Sequence, residues 1–386
     1  MEDIFMRRVA KVLPDAKPLK DLMSGKKIRV YLGIDPTGGQ LHIGHAIGIK
    51  KLVEFAEAGH EAILLFGTGT VLVGDPSQRD SARKTVSQEE IETNIQTWKD
   101  QVAPIVDFDK VTIKQNGDWI TQLSLKDLVE IASNISSVQL FKRDAFKRRI
   151  KRGDTVWFHE TMYPLLQGYD SVVLDVDLEI GGTDQEFNML IGRELQRKMK
   201  NREKFVLTTP MINGTDGQPM SKTSGNCVWL DDLAPDMYGK LMSVSDEQII
   251  PYLELCTDVP LVEVADLKQQ IEAGANPKEA KMRMAREITT IWHDNAAAQT
   301  AQEQWTAQFS GGELPEDIPS LELGVGSWEL AELLVKTKLA SSKSDAKRLI
   351  EQGGVRLNQN KLDTDSVDIK SGDILQAGKR RFVRVK

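Results

Sequence analysis

Cysteine is almost missing from this 386-residue chain, which has two, Cys227 and Cys256. They stand alone, in no disulfide or zinc-ligand spacing. That excludes a thiol-stapled scaffold and leaves two small packing residues in a reducing cytoplasm as the expectation. Long apolar runs are missing as well. No stretch approaches the roughly 18 residues of a membrane span, and the first residues, MEDIFMRRVAKVLP, lack the apolar core of a signal peptide. No membrane partner is therefore expected, and a cytoplasmic location is. There is no internal repeat and no low-complexity tract. Positive charge is in short supply: 50 Lys+Arg face 57 Asp+Glu, a net −7, which argues against a protein that coats nucleic acid nonspecifically. The shortage is uneven. From Gly326 to Lys386 the chain carries 13 Lys+Arg against 8 Asp+Glu, so a basic tail follows an acidic body, as in a nucleic-acid-binding appendage.

What remains is ordinary for a globular chain of two or three domains: 40% hydrophobic and 28% charged residues. Strand-like runs alternate with helical ones through the first 225 residues. Ile28–Ile34, Glu61–Phe66, Val111–Lys114, Ser171–Ile180 and Phe205–Thr209 read as strands, and Ile43–Ala58 has helical periodicity. This alternation predicts a doubly wound, parallel α/β sheet, whose ligands bind beyond the carboxyl ends of the strands. The stretch from about Leu123 to His159 reads as helical and basic, as in a solvated, charged pair of helices. From about Asp231 to Phe309 the pattern is helical, with Pro235, Pro260 and Pro277 marking starts or breaks, and 310–319 reads as a linker. In the tail, Trp328–Thr337 reads as a helix. A second helix follows, capped by Ser342 or Ser344 and ended by Gly353-Gly354, and then strands at Val355–Leu357, Asp373–Leu375 and Arg381–Val385.

The most informative segment is Tyr31-Leu-Gly-Ile-Asp35-Pro-Thr37-Gly-Gly-Gln-Leu-His42-Ile-Gly44-His45. Two histidines sit where a strand turns into a helix, and the backbone N–H groups and dipole there favour a phosphate. An imidazole pair can donate hydrogen bonds to a phosphate oxygen whose charge grows in a transition state. The pair could instead ligate zinc, though no cysteine or third histidine lies near, or simply pack a helix start. The glycines follow neither GxGxxG nor GxxxxGK[ST], which argues against a dinucleotide site or P-loop. Two further segments are basic and turn-rich: Gly74-Asp75-Pro-Ser-Gln-Arg79-Asp-Ser-Ala-Arg83-Lys84 and Pro219-Met220-Ser221-Lys222-Thr223. Ile180-Gly181-Gly182-Thr183-Asp184-Gln185 pairs glycines that admit a ligand with a carboxylate able to accept from ribose hydroxyls. A glycine turn capped by Asp184 is the alternative. Tyr163, Gln167 and Asp170 share one face of an otherwise apolar helix by their i, i+4, i+7 spacing, as a small polar pocket or a hydrogen-bonded core cluster.

Taken in order, these motifs resemble those of class I aminoacyl-tRNA synthetases, in the form found in bacterial tyrosyl-tRNA synthetases. The resemblance covers roughly residues 25–386, and SSKSDAKRLIEQGGVRLNQNKL with SGDILQAGKRRFVRV resembles the S4 RNA-binding domain. It implies a Rossmann-like catalytic domain over 1–225, with about 123–159 as the connecting insertion that supplies a homodimer interface. An α-helical anticodon-binding domain over 226–319 and a small α+β S4-like domain over 326–386 would follow. The implied reaction joins L-tyrosine to ATP, taken with Mg2+, giving tyrosyl-adenylate and pyrophosphate, and then transfers tyrosine to the terminal adenosine of tRNA(Tyr). DNA is not an implied partner, and no resident metal is implied.

Carried over residue by residue, His42, His45, Lys222, Arg79 and Arg83 act on the phosphates. Asp35, Thr37, Gly44, Gly181, Gly182, Asp184, Met220 and Ser221 line the ATP site together with Lys222. Tyr31, Asp75, Tyr163, Gln167, Asp170 and Gln185 hold tyrosine: Tyr163, Gln167 and Asp75 around the ammonium, Tyr31 and Asp170 at the phenolic hydroxyl. The chain departs from the family's KMSKS loop at Pro219, where a lysine is usual, and has threonine at 223 and 183 where serine is usual. Pyrophosphate stabilisation is therefore expected to fall more on Lys222, Arg79 and Arg83. A tryptophanyl-tRNA synthetase shares the core, but Tyr31 with Asp170 and the S4-like tail argue against it. A catalytically weak RNA-binding homologue is opposed by the retained His42, His45, Asp184 and Lys222.

Overall fold

The structure is a computed structural model that describes residues 4–75, 87–220, 224–310, 318–323, 326–340, 342–351, 353–358, 360–362, 364, 366–378 and 381–386. They form two compact units, Met1–Gln299 and Thr300–Lys386. The first begins with β1 (Lys11–Leu13), α1 (Ala16–Gly25), β2 (Arg29–Ile34), α2 (Ile43–Glu57), β3 (Glu61–Phe66), α3 (Gln88–Val102) and β4 (Val111–Gln115). Then come α4 (Gly117–Ile120), α5 (Leu125–Ser133), α6 (Ser137–Leu140), α7 (Asp144–Arg152), α8 (Tyr163–Leu174), β5 (Leu178–Gly182), α9 (Glu186–Lys200) and β6 (Phe205–Thr209). The strand order is β1-β6-β5-β2-β3-β4. Every pairing is parallel except β1 against β6. The expected doubly wound sheet is present, with an added antiparallel edge strand too short to show alternation in the sequence.

β2 and β3 lie in the middle, and Val30, Tyr31 and Ala62 to Phe66 are buried, as parallel strands covered on both faces require. One expected strand is corrected. Ser171–Leu174 is the last turn of α8, which stops at Asp175 in a left-handed conformation (φ 51°), and β5 starts at Leu178. The paired valines imitate a strand locally, but Val172 packs on Ile191 and Leu195 of α9, so tertiary packing keeps the helix. α8 and α9 approach closely where Gly168 meets Gly192: a Cβ on Gly168 would lie 3.1 Å from the Gly192 nitrogen.

After the sheet come α10 (Ala234–Ser243), α11 (Ile249–Cys256), α12 (Leu261–Glu272), α13 (Lys278–Trp292) and α14 (Asn295–Ser310). Pro235 lies in the first turn of α10, and Pro260 and Pro277 immediately precede α12 and α13, as the sequence predicts. Two buried arginines tie this region to the sheet. Arg7 donates to the Thr257 carbonyl (2.7 Å), while Arg8 donates to the Leu255 carbonyl (2.7 Å) and to Glu54 of α2 (2.5 Å).

The second unit holds β7 (Ser320–Leu321), β8 (Gly326–Glu329), α15 (Leu330–Lys336), α16 (Lys343–Glu351), β9 (Val355–Leu357), β10 (Asn360–Lys361), β11 (Ser366–Ile369), β12 (Ile374–Ala377) and β13 (Arg381–Val385). Its main sheet runs β10-β9-β12-β13-β7, and β11 pairs with β8. The helix expected from Trp328 starts at Leu330, because Gly326–Glu329 is held as a strand by Ser366–Ile369. Ser342 caps α16, its hydroxyl accepting from the Asp345 N–H at 3.2 Å. Leu330, Leu333, Leu334, Ala346, Val355, Leu375 and Val385 form a separate core. Lys379 and Arg380 of the basic tail lie outside the described residues.

Candidate active site

The loop after β2 becomes a binding edge because α3 holds it by its carbonyls. Asn94 donates to Pro36 (3.1 Å), Trp98 to Gly38 (2.8 Å) and Gln101 to Gly39 (2.7 Å), while Gln101 accepts from the Leu41 N–H (2.8 Å). Thr37 lies inside this loop, its N–H donating to the Asp35 carbonyl (2.7 Å). α2 then follows His42, its capping residue, whose N–H donates to His45 Nδ1 at 3.2 Å. A neutral His45 that accepts at Nδ1 carries its proton on Nε2, so it offers a donor. The two imidazoles are in contact, tilted by 42° with centroids 3.8 Å apart.

The segment from Val228 to Leu230 is stitched to this helix start. Ile43 N–H donates to the Val228 carbonyl (2.9 Å) and Leu230 N–H to the Leu41 carbonyl (2.8 Å). Gly44 leaves room for the His42 imidazole, whose Nδ1 would sit 3.0 Å from a Cβ placed there, and the Met220 sulfur lies in ordinary contact on the same side at 3.8 Å. Asn226 anchors the other side by donating to Asp216 (2.8 Å) and to the Pro219 carbonyl (3.1 Å). Ser221, Lys222, Arg79 and Arg83 lie outside the described residues.

Beyond β2 and β3, a chain of hydrogen bonds runs through the polar face of α8. The Tyr163 hydroxyl donates to Asp35 Oδ2 (3.0 Å), Thr70 donates to Asp35 Oδ1 (2.7 Å), and Asn116 donates both to Thr70 (3.1 Å) and to Asp170 Oδ2 (3.0 Å). Trp119 donates to Asp170 Oδ1 (2.8 Å). Asp170 is 2% exposed. Burial pushes its carboxyl well above the usual carboxylate range, against the pull of the Asn116 and Trp119 donors. Tyr31 is fully buried beside it; its hydroxyl meets Ser171 Oγ at 2.9 Å, and burial with the nearby Glu179 and Asp170 charges raises its pKa. Tyr163 is shifted up in the same way, by burial and then Asp35 and Asp75.

A third group closes the side nearest β5. Asp75 accepts from Gln185 (2.8 Å) and from Arg143 (3.0 Å), and Gln185 also donates to Asp184 (2.9 Å). A Cβ at Gly182 would crowd the Asp184 carboxylate as it turns back over the strand end. At Gly181 a Cβ would press on Met189 at 2.9 Å. Gln167 donates to Glu179 (3.1 Å), and its Oε1 is shielded from solvent without a hydrogen-bond donor among the described residues.

Tyr163, Asp35 and Asp170 are thus joined in one network and Asp75, Asp184 and Gln185 in another, while Gln167 and Tyr31 meet through Glu179 and Ser171. Sequence reasoning missed Thr70, Asn116, Trp119, Arg143, Ser171, Glu179, Lys204 and Asn226. A buried Asn or Thr carries no periodic signal, although the Gly67-Thr-Gly69 turn after β3 marked a strand end worth inspecting. A parallel sheet with paired histidines, a glycine turn and a polar pocket beyond its strand ends has the architecture of a nucleotide-using α/β enzyme.

Comparison with known proteins narrows that class. Residues 23–310 match the family described as tRNA synthetases class I (W and Y), and residues 312–384 match the tyrosine–tRNA ligase SYY-like C-terminal domain. The chain is 40% identical over 385 residues to the tyrosine–tRNA ligase of Dehalococcoides mccartyi, covering 99% of this chain and 97% of that protein. It is also 40% identical to the Shewanella oneidensis tyrosine–tRNA ligase, covering 98% and 96%. A C-terminally truncated mitochondrial tyrosyl-tRNA synthetase of Aspergillus nidulans shares the fold, with a TM-score of 0.66 at 22% identity over 78% of this chain and 91% of that one. The chain belongs to the tyrosine–tRNA ligases of the class I tRNA synthetases.

Proposed function

We propose that the strand-end rim carries out the two steps of a tyrosine–tRNA ligase. The tyrosine carboxylate, ionised at neutral pH and needing no general base, attacks the α-phosphorus of ATP and displaces pyrophosphate. ATP enters as its magnesium complex, a substrate. The protein's part is alignment and stabilisation of charge moving onto phosphate oxygens. His45 offers its Nε2 proton and His42 stands beside it, while Lys222, Arg79 and Arg83 supply the cations for the pyrophosphate. Asp184, turned back over Gly182, takes the ribose hydroxyls. Asp75, Tyr163 and Gln167 surround the amino-acid ammonium, and Asp170 with Tyr31 faces its phenol. In the second step a terminal ribose hydroxyl of tRNA(Tyr) attacks the carbonyl carbon of tyrosyl-adenylate, and AMP leaves.

The observation that carries this reading is the continuous chain Tyr163–Asp35–Thr70–Asn116–Asp170–Trp119 in a member of this family. ATP–pyrophosphate exchange tests it: the wild type works with tyrosine and not tryptophan. Lys222→Ala slows exchange on the order of a hundredfold or more, and Pro219→Ala changes it by less than about twofold, since proline supplies no charge there to lose. Equal rates in wild type and Lys222→Ala contradict the assignment.

The same reading includes a homodimer and a cytoplasmic location. Large apolar side chains stand exposed on and after α5–α7, among them Leu125 (78%), Val138 (67%) and Phe158 (82%), which is the surface a second copy of the chain would cover. Sedimentation of Phe158→Glu is expected to give monomer where the wild type gives dimer; a dimer unchanged by the charge places the interface elsewhere. Cys227 and Cys256 are buried and unbridged, in accord with a reducing compartment.

A further inference from the structure

Beneath the α8 pocket lies an ion pair that the steps above do not use. Lys204, 1% exposed, donates to Glu179, 2% exposed. Burying two charges carries a desolvation cost that packing alone does not repay, so the contacts made by the pair are informative. Glu179 Oε1 accepts from Gln167 Nε2 at 3.1 Å, and Oε2 from Lys204 and from Ser171 Oγ at 3.4 Å. Ser171 Oγ in turn accepts from Lys204 at 2.8 Å and meets the Tyr31 hydroxyl at 2.9 Å. Gly192 preserves the arrangement, because a Cβ there would lie 2.6 Å from Lys204 Nζ and 2.8 Å from Ser171 Oγ.

A proton inventory gives the pair a direction. A carboxylate only accepts and an ammonium only donates. Gln167 must therefore turn its NH2 toward Glu179, which leaves Oε1, buried and without a donor, as the group facing away. The reverse orientation would set a carbonyl against a carboxylate. A buried acceptor without a donor suits a substrate ammonium, whereas an NH2 in that place would repel it. We propose that Glu179, paired with Lys204, is a positioning residue that fixes the amide of Gln167 with its oxygen toward the tyrosine ammonium and thereby presets the polarity of the pocket. The proposal rests on the assignment of Gln167 to that ammonium.

Glu179→Gln turns this logic around. Lys204 can only donate, so the new amide keeps its oxygen on Lys204 and presents NH2 to Gln167, which must then flip. Equilibrium binding of L-tyrosine and of deamino-tyrosine, which keeps the phenol and carboxylate but lacks the amine, reads the result. Glu179→Gln is expected to weaken tyrosine by about tenfold or more and to leave deamino-tyrosine within about twofold. Adding Lys204→Met frees the amide to turn either way and restores part of the lost tyrosine affinity. Equal weakening of both ligands, or of neither, overturns the proposal. Should Glu179→Gln not fold, the neutral pair Glu179→Gln/Lys204→Met shows the same split in smaller form, and wild-type affinity for both ligands overturns it. Gln167→Ala run in parallel separates the two readings. If it leaves tyrosine binding unchanged, the pocket assignment itself falls; if it weakens tyrosine while Glu179→Gln does not, only the positioning role falls.

Discussion

The two ends of one sheet are built by different rules. At the amino ends of β2, β3 and β5, acids meet full positive charges. Glu61 takes Arg29 at 2.8 Å, and Asp177 takes Lys26 (2.8 Å), Arg202 (2.6 Å) and the Arg29 N–H (2.9 Å). At the carboxyl ends of the same strands, neutral donors among the described residues reach each carboxylate. Asp35 has Thr70 and Tyr163, and Asp170 has Asn116 and Trp119; Asp75 has Gln185 and an arginine. A carboxylate has about four lone-pair directions, so neutral donors can fix its orientation without a paired cation. One end ties its acids to cations; the other sets them among neutral donors, in the place the proposed function gives to the substrate.

That contrast can be broken from either side. At the carboxyl end, Gly67 directly follows β3, and a Cβ there would overlap both Asp35 Oδ1 and Thr70 Oγ1. Gly67→Ala is expected to displace the network and lower kcat/KM for tyrosine activation on the order of a hundredfold, the scale set by misplacing a substrate by about an ångström. Thermal unfolding should move little by comparison. An unchanged kcat/KM would mean that the Asp35–Thr70 contact positions nothing.

At the amino end the effect is smaller and opposite in kind. Burial pushes the Asp177 carboxyl upward, but Lys26, the Arg29 N–H and Arg202 together outweigh it and hold the group below its ordinary value of 3.8. A carboxyl lowered in the folded state contributes stability that is full above its unfolded value and is lost as pH falls through the folded one. Asp177→Asn should therefore cost about 1–2 kcal/mol near neutral pH, with the gap to wild type closing below roughly pH 4. Its kcat/KM should stay within about twofold, since less than one pocket hydrogen bond is disturbed. Denaturant titrations at neutral and acid pH check the first part, and a gap independent of pH would remove the ionic account.

How much of this was legible in the chain follows the same division. β3 and β6 fall where their apolar runs predict, because a strand buried on both faces writes its own pattern. The helical face carrying Tyr163, Gln167 and Asp170 was visible from spacing alone. The apolar end of that helix was not, since Val172 and Val173 read as strand until α9 is packed against it. At the site, glycine turns and histidines announce themselves, whereas Asn116, Trp119 and Lys204 act through contacts 25 to 54 residues away along the chain. No local pattern encodes such a contact.

In the proposed function Asp170, held by two neutral donors in a buried wall, reads the phenolic hydroxyl. The Tyr/Phe ratio of kcat/KM in ATP–pyrophosphate exchange, compared between wild type and Asp170→Ala, tests it most directly. Losing a buried acceptor that only tyrosine can satisfy should shrink that ratio by a factor on the order of ten to a hundred, mainly through weaker use of tyrosine. A ratio left at the wild-type value would contradict the claim.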